Sequence, residues 1–396
     1  AHPTENFAAY DLYLKGRDLM RGNPGSGKIQ AALGDYDQAL KLDPNFALAY
    51  AGIADASLEV YENGKDRFWA DKALSAAQQA ERLNNNLPDV YSSLGNVFTA
   101  TGKTSEAIVM LQRAVKLAPN SDDAHRRLGD AYLADGRKSE ALDAYQKAVK
   151  INPYYWNNYN ALGSAYFETG AYDKALRSFQ QVTRLEPDNS VGYQNTGAVY
   201  LQEGEYQRSI SAFQKALQLN LTYDSVTDLG IAYFFLRRFT DAVATFEKAV
   251  QMNPNQAVVV ANLADAYRWS GQADKAKATY DRAISLGIED LQVNPRDSEV
   301  IGLLAVNYAK TGNPGEAIQF IHRARSIDRN SVELIYDEAV IQALAGHAPE
   351  ALQSLRDALK RGFPVSSAAN DPQLDSLWSN PGFKDLIRGF GGKQNH

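Results

Sequence analysis

Residues 88–121 read PDVYSSLGNVFTATGKTSEAIVMLQRAVKLAPNS, and residues 122–155 read DDAHRRLGDAYLADGRKSEALDAYQKAVKINPYY. Laid one above the other, these two 34-residue stretches carry matching residue types at matching places. Tyr91 falls over His125, Leu94-Gly95 over Leu128-Gly129, Phe98 over Tyr132 and Gly102 over Gly136. Ala107, Leu111, Ala114 and Pro119 fall over Ala141, Tyr145, Ala148 and Pro153. The next stretch repeats the series with Tyr159, Leu162, Gly163, Tyr166, Gly170, Ala175, Phe179, Val182 and Pro187, and the one after it with Tyr193, Gly197, Tyr200, Gly204, Ser209, Phe213 and Ala216. A period of this length means a stack of supersecondary units, each burying its apolar face against its neighbours.

Each repeated place has a physical task. The small residue at the eighth place of the first helix (Gly95, Gly129, Gly163, Gly197, Gly230) and the alanine early in the second (Ala107, Ala141, Ala175, Ala242) stand where two helices cross closely, and larger side chains there overpack the contact. The mid-repeat glycine ends the first helix and the proline ends the second. Tyrosines and phenylalanines fill the remaining space.

Read outward, the frame gives units at 223–256, 257 to about 297, 298–331 and a degenerate one at 332–363. The unit at 257 carries a long tail, ISLGIEDLQVNPRD, which predicts a lengthened second helix. Before residue 88 two degenerate units fit at 9–46 and 47–87, with enlarged turns at RGNPGSGK and YENGKDRF. The chain is thus organised as 1–87, 88–256, 257–363 and a segment, 364–396, that drops the period. In that last segment Leu374, Leu377, Trp378, Phe383, Leu386 and Ile387 are placed to make short helices that cover the last repeat.

One motif points elsewhere. Gly22 and Gly27-Lys28 open a phosphate-binding loop, G-x-x-x-x-G-K-[ST], but the position that must hold magnesium through a hydroxyl is Ile29. The preceding residues, with Phe7, Tyr10, Leu14 and Leu19 at helical spacing, form no strand. The glycine-rich stretch is predicted to be a turn between two helices, with Lys28 starting the second.

Composition narrows the function classes. Across 396 residues, 41 Lys and Arg stand against 47 Asp and Glu, a net charge of −6 without a basic stripe, so nucleic acid is not an expected partner. There is no cysteine, which excludes disulfides and thiolate chemistry and leaves the compartment open between cytoplasm and periplasm. No apolar run approaches the length of a membrane span, so direct membrane insertion is not expected. The first residue is not methionine, so a processed protein or a piece of a longer one is expected. The five histidines never pair at metal-ligand spacing and neither HExxH nor GxSxG occurs, so no enzyme activity, metal or cofactor is predicted.

Over roughly residues 7 to 363 the chain resembles the tetratricopeptide-repeat family. The resemblance implies an all-α, right-handed superhelical solenoid of about ten helix-turn-helix units with a C-terminal helical cap. It implies a concave groove, lined by the first helix of each unit, that binds a protein or an extended peptide segment. The places of the first helix not used in packing (2, 5, 6, 9, 12 and 13) face that groove in this family. They give Asn96, Arg126 and Arg127, then the amides Asn157, Asn160, Gln194 and Asn195, and toward the far end Phe234, Phe235, Asn262, Arg268 and Trp269. Side-chain amides both donate to and accept from a peptide backbone, which suits sequence-tolerant binding. The family's carboxylate clamp is not assembled, because Ser92 stands where its first lysine belongs. The ends AYDLYLKGRDLM and DPQLDSLWSNPGFKDL also look like the ends of repeat regions in bacterial signalling proteins such as serine/threonine kinases, which gives a second expectation: a sensory or scaffolding region of a larger enzyme. Oligomeric state is not legible.

Overall fold

The computed structural model describes residues 4–20 and 25–391. Among them the chain forms ten helix pairs. These are α1 (Phe7–Leu19) with α2 (Ser26–Leu42), α3 (Ala47–Gly64) with α4 (Arg67–Leu83), α5 (Pro88–Ala100) with α6 (Thr104–Leu117), α7 (Asp122–Ala134) with α8 (Lys138–Ile151), and α9 (Trp156–Glu168) with α10 (Tyr172–Leu185). They continue as α11 (Ser190–Gln202) with α12 (Tyr206–Leu219), α13 (Tyr223–Phe235) with α14 (Phe239–Met252), α15 (Ala257–Trp269) with α16 (Ala273–Val293), α17 (Ser298–Lys310) with α18 (Pro314–Ile327), and α19 (Val332–Leu344) with α20 (Ala348–Lys360). A short α21 (Val365–Asn370), a 3₁₀ helix (Pro372–Leu377) and α22 (Pro381–Gly391) follow. No strand occurs among the described residues. The fold is an all-α solenoid of helix pairs with a C-terminal helical segment. Residues 1–187 and 188–396 are two compact units, the first holding α1 to α10 and the second the rest.

The turn inside a regular pair follows from one residue. Gly102 takes the left-handed conformation (φ 76°), its N–H donates to the Thr99 carbonyl at 3.1 Å, and the next N–H, of Lys103, reaches back to Phe98 at 2.8 Å. This motif satisfies carbonyls that the helix end leaves open, and only glycine adopts its geometry without a Cβ clash. At the other end Ser121 caps α7, its hydroxyl accepting from the Ala124 N–H at 3.2 Å.

The close crossings have named partners. A Cβ on Gly129 would lie 2.6 Å from the Tyr145 ring, and one on Gly163 would lie 2.6 Å from Phe179. The large residue near the middle of the second helix thus lies on the glycine of the first. Between pairs, His125 is buried and its Nε2 lies 3.1 Å from the Pro119 carbonyl, so the histidine standing at an aromatic place packs as one.

Two local expectations need correction. YENGKDRF is not an enlarged turn. Helix α3 continues through Tyr61–Gly64 and ends at Lys65, itself left-handed (φ 54°), and α4 starts at Arg67, so the extra residues lengthen the helices. Helix α2 begins at Ser26, two residues before Lys28, and Ile29 is buried in the core. The turn residues Gly22, Asn23 and Pro24 lie outside the described residues. At the far end α16 runs for 21 residues. At the α8 to α9 junction the chain reads Tyr154-Tyr155-Trp156, and there Trp156 is buried while Tyr154 is 83% exposed.

Candidate functional site: the inner faces of the first helices

In the first unit the odd-numbered helices turn one face toward each other. Arg127 on α7 reaches Asp55 on α3 through two N–H···O contacts of 3.2 and 3.3 Å, passing over the intervening α5. Side chains two pairs apart meet only on the inner side of a curved stack, so this contact marks the concave face. Small residues on α5, among them the buried Ser92, leave the room. Asp123 accepts from Arg127 Nε at 2.7 Å and from Arg126 at 2.5 Å, Asp130 lies 3.6 Å from Arg126, and the Tyr145 hydroxyl donates to Asp130 at 2.7 Å.

Three carboxylates therefore share two guanidiniums. Burial pushes the Asp55 carboxyl up, with Asp123 adding to it against the pull of Arg127. Burial also raises Asp130, despite Arg126. Burial acts on Asp123 in the same sense, but the two guanidiniums outweigh it and hold that carboxyl below its ordinary range. Glu59, one turn along α3, is raised by burial and by Asp55. The result is an acid-rich wall with the Arg126 Nε buried and without a hydrogen-bond partner among the described residues.

The second unit has its own inner-face cluster. Lys310 on α17 donates to Asp265 on α15 at 2.6 Å, and Asp265 also accepts from the Tyr280 hydroxyl. The lysine is 7% exposed. Asp337 on α19 is pushed up to about 7, first by burial and then by Glu333 and Asp371, with Lys310 opposing. Asp228 on α13 is pushed up to about 6 by burial and by Asp224. A chain of aromatic contacts, an aromatic ribbon, links α12, α13, α14 and α15. Tyr206 stacks on Phe235 (5.4 Å between ring centres), Phe234 packs against Phe239 (5.5 Å), and Phe239 stacks on Trp269 (6.0 Å), whose buried Nε1 finds no acceptor among the described residues.

Sequence profiles described as tetratricopeptide repeat match residues 92–155, 192–223 and 236–287, and one described as TPR repeat matches 163–204. The chain is a tetratricopeptide-repeat protein. A curated relative, "Uncharacterized protein ycf37" of Pyropia yezoensis, is 34% identical over 68 residues, 17% of this chain and 38% of that protein. The solved Cut9-Hcn1 hetero-tetramer of the APC/C has a chain similar over 89% of this chain and 79% of its own, with 17% identity and a TM-score of 0.52. A monomeric IFIT1 mutant with m7Gppp-AAAA is similar over 81% of this chain and 71% of its own, with 18% identity and a TM-score of 0.55. At these identities the likeness is one of fold.

Within the TPR frame, the residues singled out from the sequence fall as follows. Asn96 is half-buried on α5, Arg126 and Arg127 are spent on the carboxylate network, and Asn157 and Asn160 stand half-buried on α9. In the second unit Gln194 and Asn195 are half-buried on α11, Phe234, Phe235 and Trp269 belong to the aromatic ribbon, Asn262 is half-buried and Arg268 is exposed. Sequence reasoning missed Asp55, Lys310, Tyr336 and Asp337. The signal existed: extended to the units at 47, 298 and 332, the same count puts these residues at places 9, 13, 5 and 6 of their TPR first helices.

Proposed function

We propose that the chain is a non-catalytic scaffold whose first-helix faces bind an extended protein segment. That tetratricopeptide repeats make a protein-interaction scaffold in general follows from the family and its fold. The finer reading is supported by one observation, the Arg127 to Asp55 bridge across α5, which joins half-buried polar groups of first helices two pairs apart. Asn157 and Asn160 in the first unit, and Gln194 and Asn195 in the second, supply amide groups to a bound backbone, and the aromatic ribbon with Arg268 supplies side-chain selection. No helix among the described residues is long and apolar enough to cross a membrane. The alternative of a region of a larger signalling enzyme rests on the terminal resemblance alone and is read from the reading frame upstream of Ala1.

The test starts from a partner recovered by pull-down on the immobilised chain. Asn157→Ala with Asn160→Ala weakens binding by about 1 kcal/mol per lost hydrogen bond, while Lys147→Ala on the exposed side of α8 leaves it unchanged. Equal weakening by the control sinks the inner-face assignment.

A further inference from the structure

Beyond Pro364 the chain doubles back onto the inner face of the second unit. Leu374 and Leu377 of the 3₁₀ helix are buried in one cluster with Val340 of α19, and Val306 of α17 packs beside them. Asp371 accepts from the Tyr336 hydroxyl at 2.6 Å, and the Tyr336 ring stacks on Phe363 at 3.8 Å. The segment also touches pairs far behind it in sequence. The Ser366 carbonyl accepts from the Tyr206 hydroxyl at 3.3 Å, and the Asp375 carboxylate takes both ends of the Arg237 guanidinium at 2.8 and 2.5 Å.

Arg237 marks this as more than end-capping. It stands left-handed at φ 59°, at the turn place that Gly204, Gly271, Gly312 and Gly346 occupy in other pairs of this unit at φ 78° to 83°. That conformation disfavours every side chain, and such outliers gather where a side chain has a task. Here the side chain latches the returning segment.

The apolar part of the seat is buried, but its polar part is not settled. Asp265, Asp337 and Asp371 are all within electrostatic reach of the single Lys310, and Gln373, 6% exposed, has neither amide atom hydrogen-bonded among the described residues. The Arg237 to Asp375 latch is itself half-exposed. A segment held by a few good contacts amid unmet polar groups is displaced by a similar one.

We propose that residues 364–378, PVSSAANDPQLDSLW, are a built-in ligand of the second unit, yielding the seat to a partner segment that carries two carboxylates four residues apart flanking a leucine. The Arg237 guanidinium and the Tyr336 hydroxyl read the two carboxylates, and the apolar cluster of α17 and α19 reads the leucine. This rests on the reading that inner faces take protein segments, but it names its own seat and is tested without any partner.

The probe is the synthetic peptide of residues 364–378, fluorescently labelled, titrated into the full chain. Asp371→Ala with Asp375→Ala frees the seat, so amide exchange of residues 365–378 quickens and the wild-type peptide binds about tenfold or more tighter than to the unmodified chain. Adding Arg237→Gly, the residue other pairs carry at that turn, removes most of the gain while the helix pairs keep their protection. Should the double variant lose helicity, Asp375→Asn alone carries the test with a gain of several-fold. The proposal is overturned if the freed chain binds the peptide no better than the unmodified one, if exchange in 365–378 stays slow, or if Arg237→Gly leaves the gain intact. Loss of the amide-dependent partner binding leaves these outcomes unaffected, so the two readings fail separately.

Discussion

The Asp337 carboxyl gives the sharpest test of the second unit's electrostatics. It lies half-buried on α19, facing Lys310 from α17, Glu333 from its own helix and Asp371 from the returning segment, and its pKa rises from 3.8 to about 7. Burial is the larger cause, because ionisation there strands a charge away from water, and the neighbouring carboxylates add repulsion. A carboxyl that is easier to protonate folded than unfolded favours the fold while it keeps its proton. That contribution is complete below about pH 4 and is lost as pH rises through 7. At 1.36 kcal/mol per pKa unit the full swing is about 4 kcal/mol at most, and partial solvent access with Lys310 nearby brings it to roughly 2 kcal/mol. Asp337→Asn keeps the shape and removes the charge, so the variant is more stable than the parent at pH 8 and nearly equal to it at about pH 3.5, below the unfolded pKa. Urea unfolding at the two pH values measures the difference, and amide exchange locates it on α17, α19 and the segment after Pro364. Asp228, raised to about 6 by burial and Asp224, leaves some pH dependence in the variant. A variant less stable at pH 8, or one with the parent's full pH dependence, refutes the argument that an ionised Asp337 strains this face.

Gly163→Ala sets a methyl 2.6 Å from the Phe179 ring, and the overpacking costs about 1–3 kcal/mol, read as faster exchange confined to α9, α10 and their neighbours. Uniform loosening of the whole chain counts against the packing scheme. Arg127→Ala strips Asp55 and Asp123 of their shared guanidinium and costs about 3 kcal/mol, the order found when one partner of a buried pair is removed. The depressed Asp123 carboxyl then titrates higher by NMR, and an unchanged titration breaks the network reading. Lys28→Ala, on an exposed helix position, changes stability by no more than about 0.5 kcal/mol, and calorimetry finds no nucleotide binding in either form.

The fold was legible because its rules are local and repeated. Gly129 and Tyr145 stand 16 residues apart in sequence, and the same offset recurs at Gly163 and Phe179, Gly197 and Phe213, Gly230 and Phe246, each pair in the same close contact. A packing rule that recurs at fixed spacing prints itself on the chain as a period, and a period survives inspection of one sequence. YENGKDRF misled because an insertion has no repeated partner to compare with. Asn63 and Gly64 looked like turn residues, yet the helix continued through them to Lys65, so the insertion is taken up as added length of α3.

The inner faces were legible only as places, not as interactions. Counting to the fifth and sixth places of α7 finds Arg126 and Arg127, and nothing in that count says that Asp55, 72 residues earlier, already holds one of them. Such pairings depend on curvature, which a period does not encode. The same limit hid the latch, and here the sequence carried an unused clue. In the unit from 223 the glycine that ends the first helix elsewhere is replaced by arginine, and a stack that repeats its turn so faithfully gives up that glycine only at a cost in backbone strain of about 1–2 kcal/mol. A bidentate ion pair to a half-exposed carboxylate recovers about the same amount. The two nearly cancel, so Arg237 adds little to the stability of its own turn. What it changes is the tethering of a segment 138 residues away, which is why the substitution makes sense for the returning segment and not for the repeat that carries it.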